Sequence, residues 1–193
     1  MTIEAEKKTA ILIISGPSGV GKSTICRQVV KRMKDIYLSV SVTTRPQAQG
    51  EVDGRDYWFI SKEDFDKRAR TGMLLEYAEV FGNYYGTPRD KVQEALATGK
   101  TVILEIDVQG ARQVKEIYPD AAMVFVLPPT HKDLVKRMND RGREDNQTAE
   151  QRLNGAGDEI AAAWQYYQYM VINDNLEQAV NEVMDIIKGL RSS

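Results

Sequence analysis

The pattern of hydrophobic positions changes character twice along the chain. Near the N-terminus an unbroken apolar run, Ala10-Ile11-Leu12-Ile13-Ile14, lacks the alternation of a half-buried strand. It predicts a parallel strand over 9–14, covered on both faces. Ile25, Val29, Val30 and Met33 then recur at helical spacing and predict an amphipathic first helix. From Tyr37 to about Pro88 the pattern shortens into β-like runs at Leu38–Thr44, Asp56–Ile60 and Leu74–Phe81. Turn signals at Asp53-Gly54, Gly72 and Gly82-Asn83 separate them. One short helix fits Ser61 to Arg70, with Ser61 as its N-cap.

After Pro88 longer elements return. Helices predicted over 88–97, 109–117, 131–141, 148–167 and 176–190 interleave with strands over 101–107, 121–127 and 169–172. Strand–helix alternation with core-type strands predicts an α/β fold, a parallel sheet with helices on both faces. Ligands then gather beyond the carboxyl ends of the strands. The stretch from about 37 to 88 reads as an α+β insertion, dividing a core of 9–36 and 89–193. Residues 1–8 read as a loose polar tail. No internal repeat or low-complexity segment interrupts this plan.

The first strand leads into Gly16-Pro17-Ser18-Gly19-Val20-Gly21-Lys22-Ser23-Thr24, and a helix follows. This is the G-x-x-x-x-G-K-[ST] phosphate loop in its confirming context of strand, glycine turn and helix. Glycines let successive backbone N–H groups turn inward around an anion, and the helix N-terminus adds partial positive charge. Lys22 is a mobile cation for the outer phosphates, and the Ser23 hydroxyl suits Mg²⁺. The loop implies a nucleoside triphosphate site and leaves the phosphate acceptor unnamed.

Composition narrows the setting. The chain has 193 residues, enough for one domain with an inserted lobe, and a formal net charge of −2 that gives no global attraction to nucleic acid or anionic membrane. No apolar run reaches membrane-spanning length and no secretory signal opens the chain. Cys26 is the single cysteine, which excludes an internal disulfide and fits a reducing cytoplasm. Early in the first helix it reads as buried filler rather than a nucleophile. The only histidine, His131, reads as a surface or capping residue.

The insertion carries Ser39-Val40-Ser41-Val42-Thr43-Thr44-Arg45, Gly50-Glu51-Val52-Asp53-Gly54-Arg55-Asp56-Tyr57, Leu75-Glu76-Tyr77-Ala78 and Gly82-Asn83-Tyr84-Tyr85-Gly86-Thr87. Further on come Leu104-Glu105-Ile106-Asp107-Val108-Gln109-Gly110, Leu127-Pro128-Pro129, Arg137-x-x-x-Arg141-Gly142 and Val171-Ile172-Asn173-Asp174. With the phosphate loop, this ordered set resembles the guanylate kinase family from Ile11 to about Ile187. The resemblance implies a P-loop NTPase-type parallel sheet core, a GMP-binding lobe and a helical lid over about 137–152. It implies that Ser41, Glu76 and Thr87 surround the guanine, that Glu105 approaches from the core side, and that Arg45, Tyr57 and Tyr85 hold the GMP phosphate. The chemistry agrees. Guanine offers N1–H and a 2-amino group to one carboxylate, whereas adenine would leave that carboxylate desolvated and unpaired.

The resemblance also implies that Arg137, Arg141 and Arg152 close over the phosphates, that Asp107 joins the Mg²⁺ shell, and that Asn173 lies near the adenine. Phosphoryl transfer needs positioning and charge neutralisation more than a protein nucleophile, so a missing Ser–His or Cys–His pair is no objection. One departure stands out. The family's T-T-R-x-P-R pattern reads here Thr44-Arg45-Pro46-Gln47-Ala48-Gln49, with Ala48 in place of a second arginine. The expected reaction is ATP + GMP giving ADP + GDP. A non-catalytic interaction domain of the same shape and a kinase acting on a sugar phosphate are the alternatives, and a homodimer stays open.

Overall fold

The computed structural model describes residues 10–140, 157, 160, 161 and 163–192. Two sheets organise them. The larger is assembled from β1 (Ile11–Ser15), β2 (Ile36–Leu38), β7 (Thr101–Glu105), β8 (Ala122–Leu127) and β9 (Tyr169–Ile172), in the spatial order β2-β7-β1-β8-β9. Every pairing in it is parallel. The central strand β1 explains the unbroken apolar run. Leu12 and Ile14 pack on one face with Ile25 and Val29 of α1 (Lys22–Arg32) and Val180, Val183 and Ile187 of α6 (Leu176–Ser192). Ile11 and Ile13 pack on the other face with Val92 and Ala95 of α3 (Arg89–Ala97) and Ala111 and Val114 of α4 (Val108–Ile117). Leu12, Ile13 and Ile14 are fully buried, which contributes ~1.5–3 kcal/mol for each side chain.

The smaller sheet is built from β3 (Val42–Thr43), β4 (Trp58–Phe59), β5 (Leu74–Val80) and β6 (Asn83–Pro88) in the order β4-β3-β6-β5. β6 runs antiparallel to both of its neighbours, β3 and β5. Helix α2 (Lys62–Arg70) covers it, and Val42, Phe65 and Leu74 form its small buried core. The predicted cap on α2 is present: the Ser61 hydroxyl accepts from the Asp64 N–H at 3.1 Å.

Several predicted boundaries shift. The single run expected over Leu38–Thr44 is two strands in two sheets, because the chain leaves β2 and crosses to β3 through Ser39, Val40 and Ser41. Strand β6 was not anticipated, and Pro88 ends it, preceding α3 rather than opening its first turn. Val30, expected on the apolar stripe of α1, is 36% exposed. The helix expected over 148–167 is seen only at 157, 160, 161 and 163–166, the rest lying outside the described residues, as do the tail 1–8 and most of the lid. Cys26 is fully buried as expected, and His131 is an exposed residue at the start of α5 (His131–Asp140). Among the described residues no helix is long and apolar enough to cross a membrane.

Candidate active site

The phosphate loop turns between β1 and α1 with Gly16, Gly19 and Gly21 at φ of 146°, 84° and 103°. At Gly16 the restriction is doubly set, since a Cβ there would lie 2.4 Å from the Val126 carbonyl oxygen on the next strand. Only glycine lets β1 turn this close to β8. At Gly21 a Cβ would lie 2.4 Å from the Asn173 side-chain nitrogen. That approach has a purpose: the Asn173 amide, 7% exposed, donates to the Val20 carbonyl at 2.8 Å. Arg137 in turn donates to the Asn173 carbonyl at 2.9 Å. Asn173, expected beside the adenine, thus holds the backbone of the phosphate loop, and Arg137, expected in the lid, braces the same spot. Lys22 arches over the loop, its Nζ donating to the carbonyls of Gly16 at 2.6 Å and Pro17 at 3.1 Å. Pro17 and Val20 are buried, Ser18 is half-buried and Thr24 faces solvent on α1. Arg141 and Arg152 lie outside the described residues.

Beside the loop, the Ser23 hydroxyl donates to Glu105 Oε1 at 2.6 Å from the end of β7. Asp107 follows two residues on and caps α4, its Oδ1 accepting from the Gly110 N–H at 2.8 Å. Burial raises the Asp107 pKa above the ordinary carboxylate value, while hydrogen bonds from Gly110 and Gln109 and the charge of Lys22 oppose the rise. A hydroxyl and a carboxylate are hard oxygen donors, and among the described residues no group of three or more His, Cys, Asp or Glu side chains is placed to hold a metal. That donor set fits Mg²⁺, which keeps waters and phosphate oxygens and needs one or two protein ligands.

The smaller sheet supplies a second group. Glu76 on β5 is only 4% exposed, and its Oε1 accepts from the buried Thr87 hydroxyl of β6 at 2.6 Å. Burial pushes its pKa up to about 7, with Asp107 adding to the rise and the Thr87 hydrogen bond resisting it. Ser41 is buried just before β3, where its carbonyl accepts from the Trp58 N–H at 2.9 Å.

Tyr57 and Tyr85 meet edge-on with ring centroids 5.9 Å apart, and the Arg45 guanidinium lies 5.4 Å from the centre of the Tyr57 ring. Burial, then the charge of Glu105, raises the Tyr57 pKa far above that of a free phenol, so its hydroxyl stays a donor. Arg45 makes a two-pronged contact to Glu51 at 2.9 and 3.0 Å, and Glu51 also accepts from the Ala48 N–H at 2.9 Å. Partial burial lowers the Arg45 pKa, but Glu51 and Tyr85 together more than offset it, leaving it raised. Arg55 points elsewhere, to Asp56 and the Gly50 carbonyl. In this arrangement it does not replace the arginine missing at Ala48. Glu51 lies in the Gly50–Tyr57 segment, where the sequence assigned it no role. Its opposite charge six residues from Arg45 was the signal.

Glu105 connects the two groups. It accepts from Ser23 of the loop, and its charge acts on Tyr57, which precedes β4 of the smaller sheet. By contrast, an apolar hollow of about 380 Å³ between Leu127, Leu134, Ile160 and Ile172 contains none of the expected site residues.

The chain is similar to known proteins along nearly its whole length. The sequence model of the guanylate kinase family matches residues 8–190. A guanylate kinase of Carboxydothermus hydrogenoformans is 45% identical over 180 residues, covering 93% of this chain and 88% of the relative. One from Symbiobacterium thermophilum is 49% identical over 180 residues, covering 93% and 85%. The crystal structure of guanylate kinase from Anaplasma phagocytophilum superimposes with a TM-score of 0.82 at 31% identity, covering 97% of this chain and 89% of that one.

Proposed function

Since the chain belongs to the guanylate kinase family and carries out that family's phosphoryl transfer from ATP to GMP, we propose how its residues divide the work. The phosphate loop 16–24, through the backbone N–H groups of its non-proline residues, and the Lys22 ammonium hold the β- and γ-phosphates of ATP. Arg137, together with Arg141 and Arg152, balances charge on the transferring group, and Asn173 keeps the loop in shape. Ser41, Glu76 and Thr87 bind the guanine, with Glu105 on its core side. Arg45, Tyr57 and Tyr85 orient the GMP phosphate. Ser23 and Asp107 would hold Mg²⁺, which when bound neutralises charge on the phosphate oxygens.

In the transfer, a GMP phosphate oxygen bonds to the γ-phosphorus as the bond to the departing ADP oxygen breaks. The acceptor is already anionic at neutral pH, so no side chain need remove a proton. The residues contribute alignment, charge balance and exclusion of water.

The observation that carries this division is Glu105, which accepts from Ser23 while its charge acts on Tyr57. Donor and acceptor groups therefore face a shared carboxylate. A cytoplasmic setting is proposed with it, supported by the lone buried cysteine. Neither a non-catalytic interaction domain nor a sugar-phosphate kinase finds support, since Lys22 and Ser23 are intact and the relatives are guanylate kinases. The test is GDP formation from MgATP and GMP by the native chain and by Lys22→Ala. The variant should lose about 10³-fold in kcat while keeping its native circular dichroism and Tm. Near-normal turnover would overturn the assignment of the loop.

A further inference from the structure

We infer that α4 positions the base-reading carboxylate, through Gly110 and Gln113. The inference rests on the reading of Glu76 as the residue that recognises guanine. Glu76 lies on β5, the edge strand of the smaller sheet, where the pairing with β6 shifts register between Leu74 and Tyr77. An edge strand with an irregular ladder is a poor support for a carboxylate that must be placed to within a fraction of an ångström.

Helix α4 supplies what an absent neighbouring strand would. The Gln113 side chain bonds the Tyr77 backbone twice: its Nε2 donates to the Tyr77 carbonyl at 2.8 Å, and its Oε1 accepts from the Tyr77 N–H at 3.2 Å. Three residues earlier on the same helix face, Gly110 is buried beneath the carboxylate itself. A Cβ on Gly110 would lie 2.2 Å from Glu76 Oε2 and 2.9 Å from its Cδ, so the bare α-carbon is the floor on which the carboxylate rests. Asp107 fixes that floor by accepting from the Gly110 N–H. Helix α4 is itself anchored in the main core by Ala111 and Val114, both fully buried. The carboxylate is thus referenced to the sheet that carries the phosphate loop. Gly110 and Gln113 are positioning residues that act through Glu76.

The test compares the native chain with Gln113→Ala and Gln113→Met, the second keeping length without the amide. Steady-state KM and kcat are measured for GMP, for IMP (which lacks the 2-amino group) and for AMP, together with KM for ATP and the Tm. Both variants should raise the GMP KM by about tenfold and reduce the preference for GMP over IMP. Their kcat and ATP KM should stay within about twofold of native. Unchanged GMP KM and selectivity in the folded variants would overturn the inference, as would equal losses for GMP and ATP. Gly110→Ala should lower the preference for GMP over AMP, and the Gln113 pair decides the matter if that variant fails to fold. Glu76→Gln serves as the control. If it keeps full GMP preference, the base reading itself is wrong, whatever Gln113 does.

Discussion

Burial of the Glu76 carboxylate opposes folding, and Glu76→Gln measures by how much. The carboxyl is buried with one hydroxyl partner, and its pKa rises from the ordinary 4.5 to about 7. A folded-state pKa above the unfolded one means that the folded chain binds the proton more tightly. Stability from this group is therefore present below about pH 4.5 and lost as pH rises through 7, a span worth ~3 kcal/mol. The amide keeps the volume and the Thr87 contact but cannot ionise. Glu76→Gln should therefore match or trail the native chain at pH 5 and exceed it by ~1–2 kcal/mol at pH 8.5, after the cost of burying the amide. Urea unfolding of both proteins across pH 5–8.5, without nucleotide, reads the difference directly. The same variant should raise the GMP KM by about 100-fold, because an amide cannot accept from N1–H and the 2-amino group together. A stability difference that does not change with pH, or a variant less stable at pH 8.5, would refute the burial argument.

The other predictions address separate links. On the proposed role of Glu76, the native chain binds GMP through the carboxylate form, so the GMP KM should rise by about tenfold from pH 8 to pH 6 while the ATP KM stays nearly level; a flat profile would count against the reading. Phe65→Ala empties the centre of a core with three buried residues, and should cost ~3–5 kcal/mol, confined to the smaller sheet. GMP binding should be lost and ATP binding kept, as read by titration calorimetry. Ala48→Arg returns a second cation near Arg45, whose charge is already engaged by Glu51, and should lower the GMP KM by about tenfold. No change would mean that the phosphate is already fully held.

The parts of this molecule that could be read from sequence are those whose cause is local. The phosphate loop needs its glycines at fixed spacing between an apolar strand and a helix, and residues 10–32 contain all of that. Ser61 announces α2 because a cap works within three residues. What escaped reading depends on distant partners. The segment Ser39–Ser41 looks like a continuing strand, yet it passes from one sheet to the other, and sheet membership is not written in residue type. Strand β6 holds a glycine and ends in a proline, so it reads as a turn until β5 is laid beside it.

Site residues divide the same way. The Glu76–Thr87 hydrogen bond joins two residues singled out by their motifs, whereas the bracing of the loop by Asn173 and Arg137 has no such signal in the sequence. Their partners are the main-chain carbonyls of Val20 and Asn173, which leave no trace in side-chain identity. Asp107 illustrates both outcomes. Its place at the end of a strand allowed helix capping or a metal role, and the capping bond to Gly110 is present without displacing the second expectation.

The central claim is that this chain pairs a phosphate loop with a carboxylate that reads guanine. The most direct test is ADP release from MgATP with GMP, AMP, UMP and a sugar phosphate offered in parallel. The account predicts brisk turnover with GMP and at least about 100-fold lower kcat/KM with AMP, UMP and the sugar phosphate. Comparable turnover with AMP, or tight GMP binding without ADP release, would contradict it.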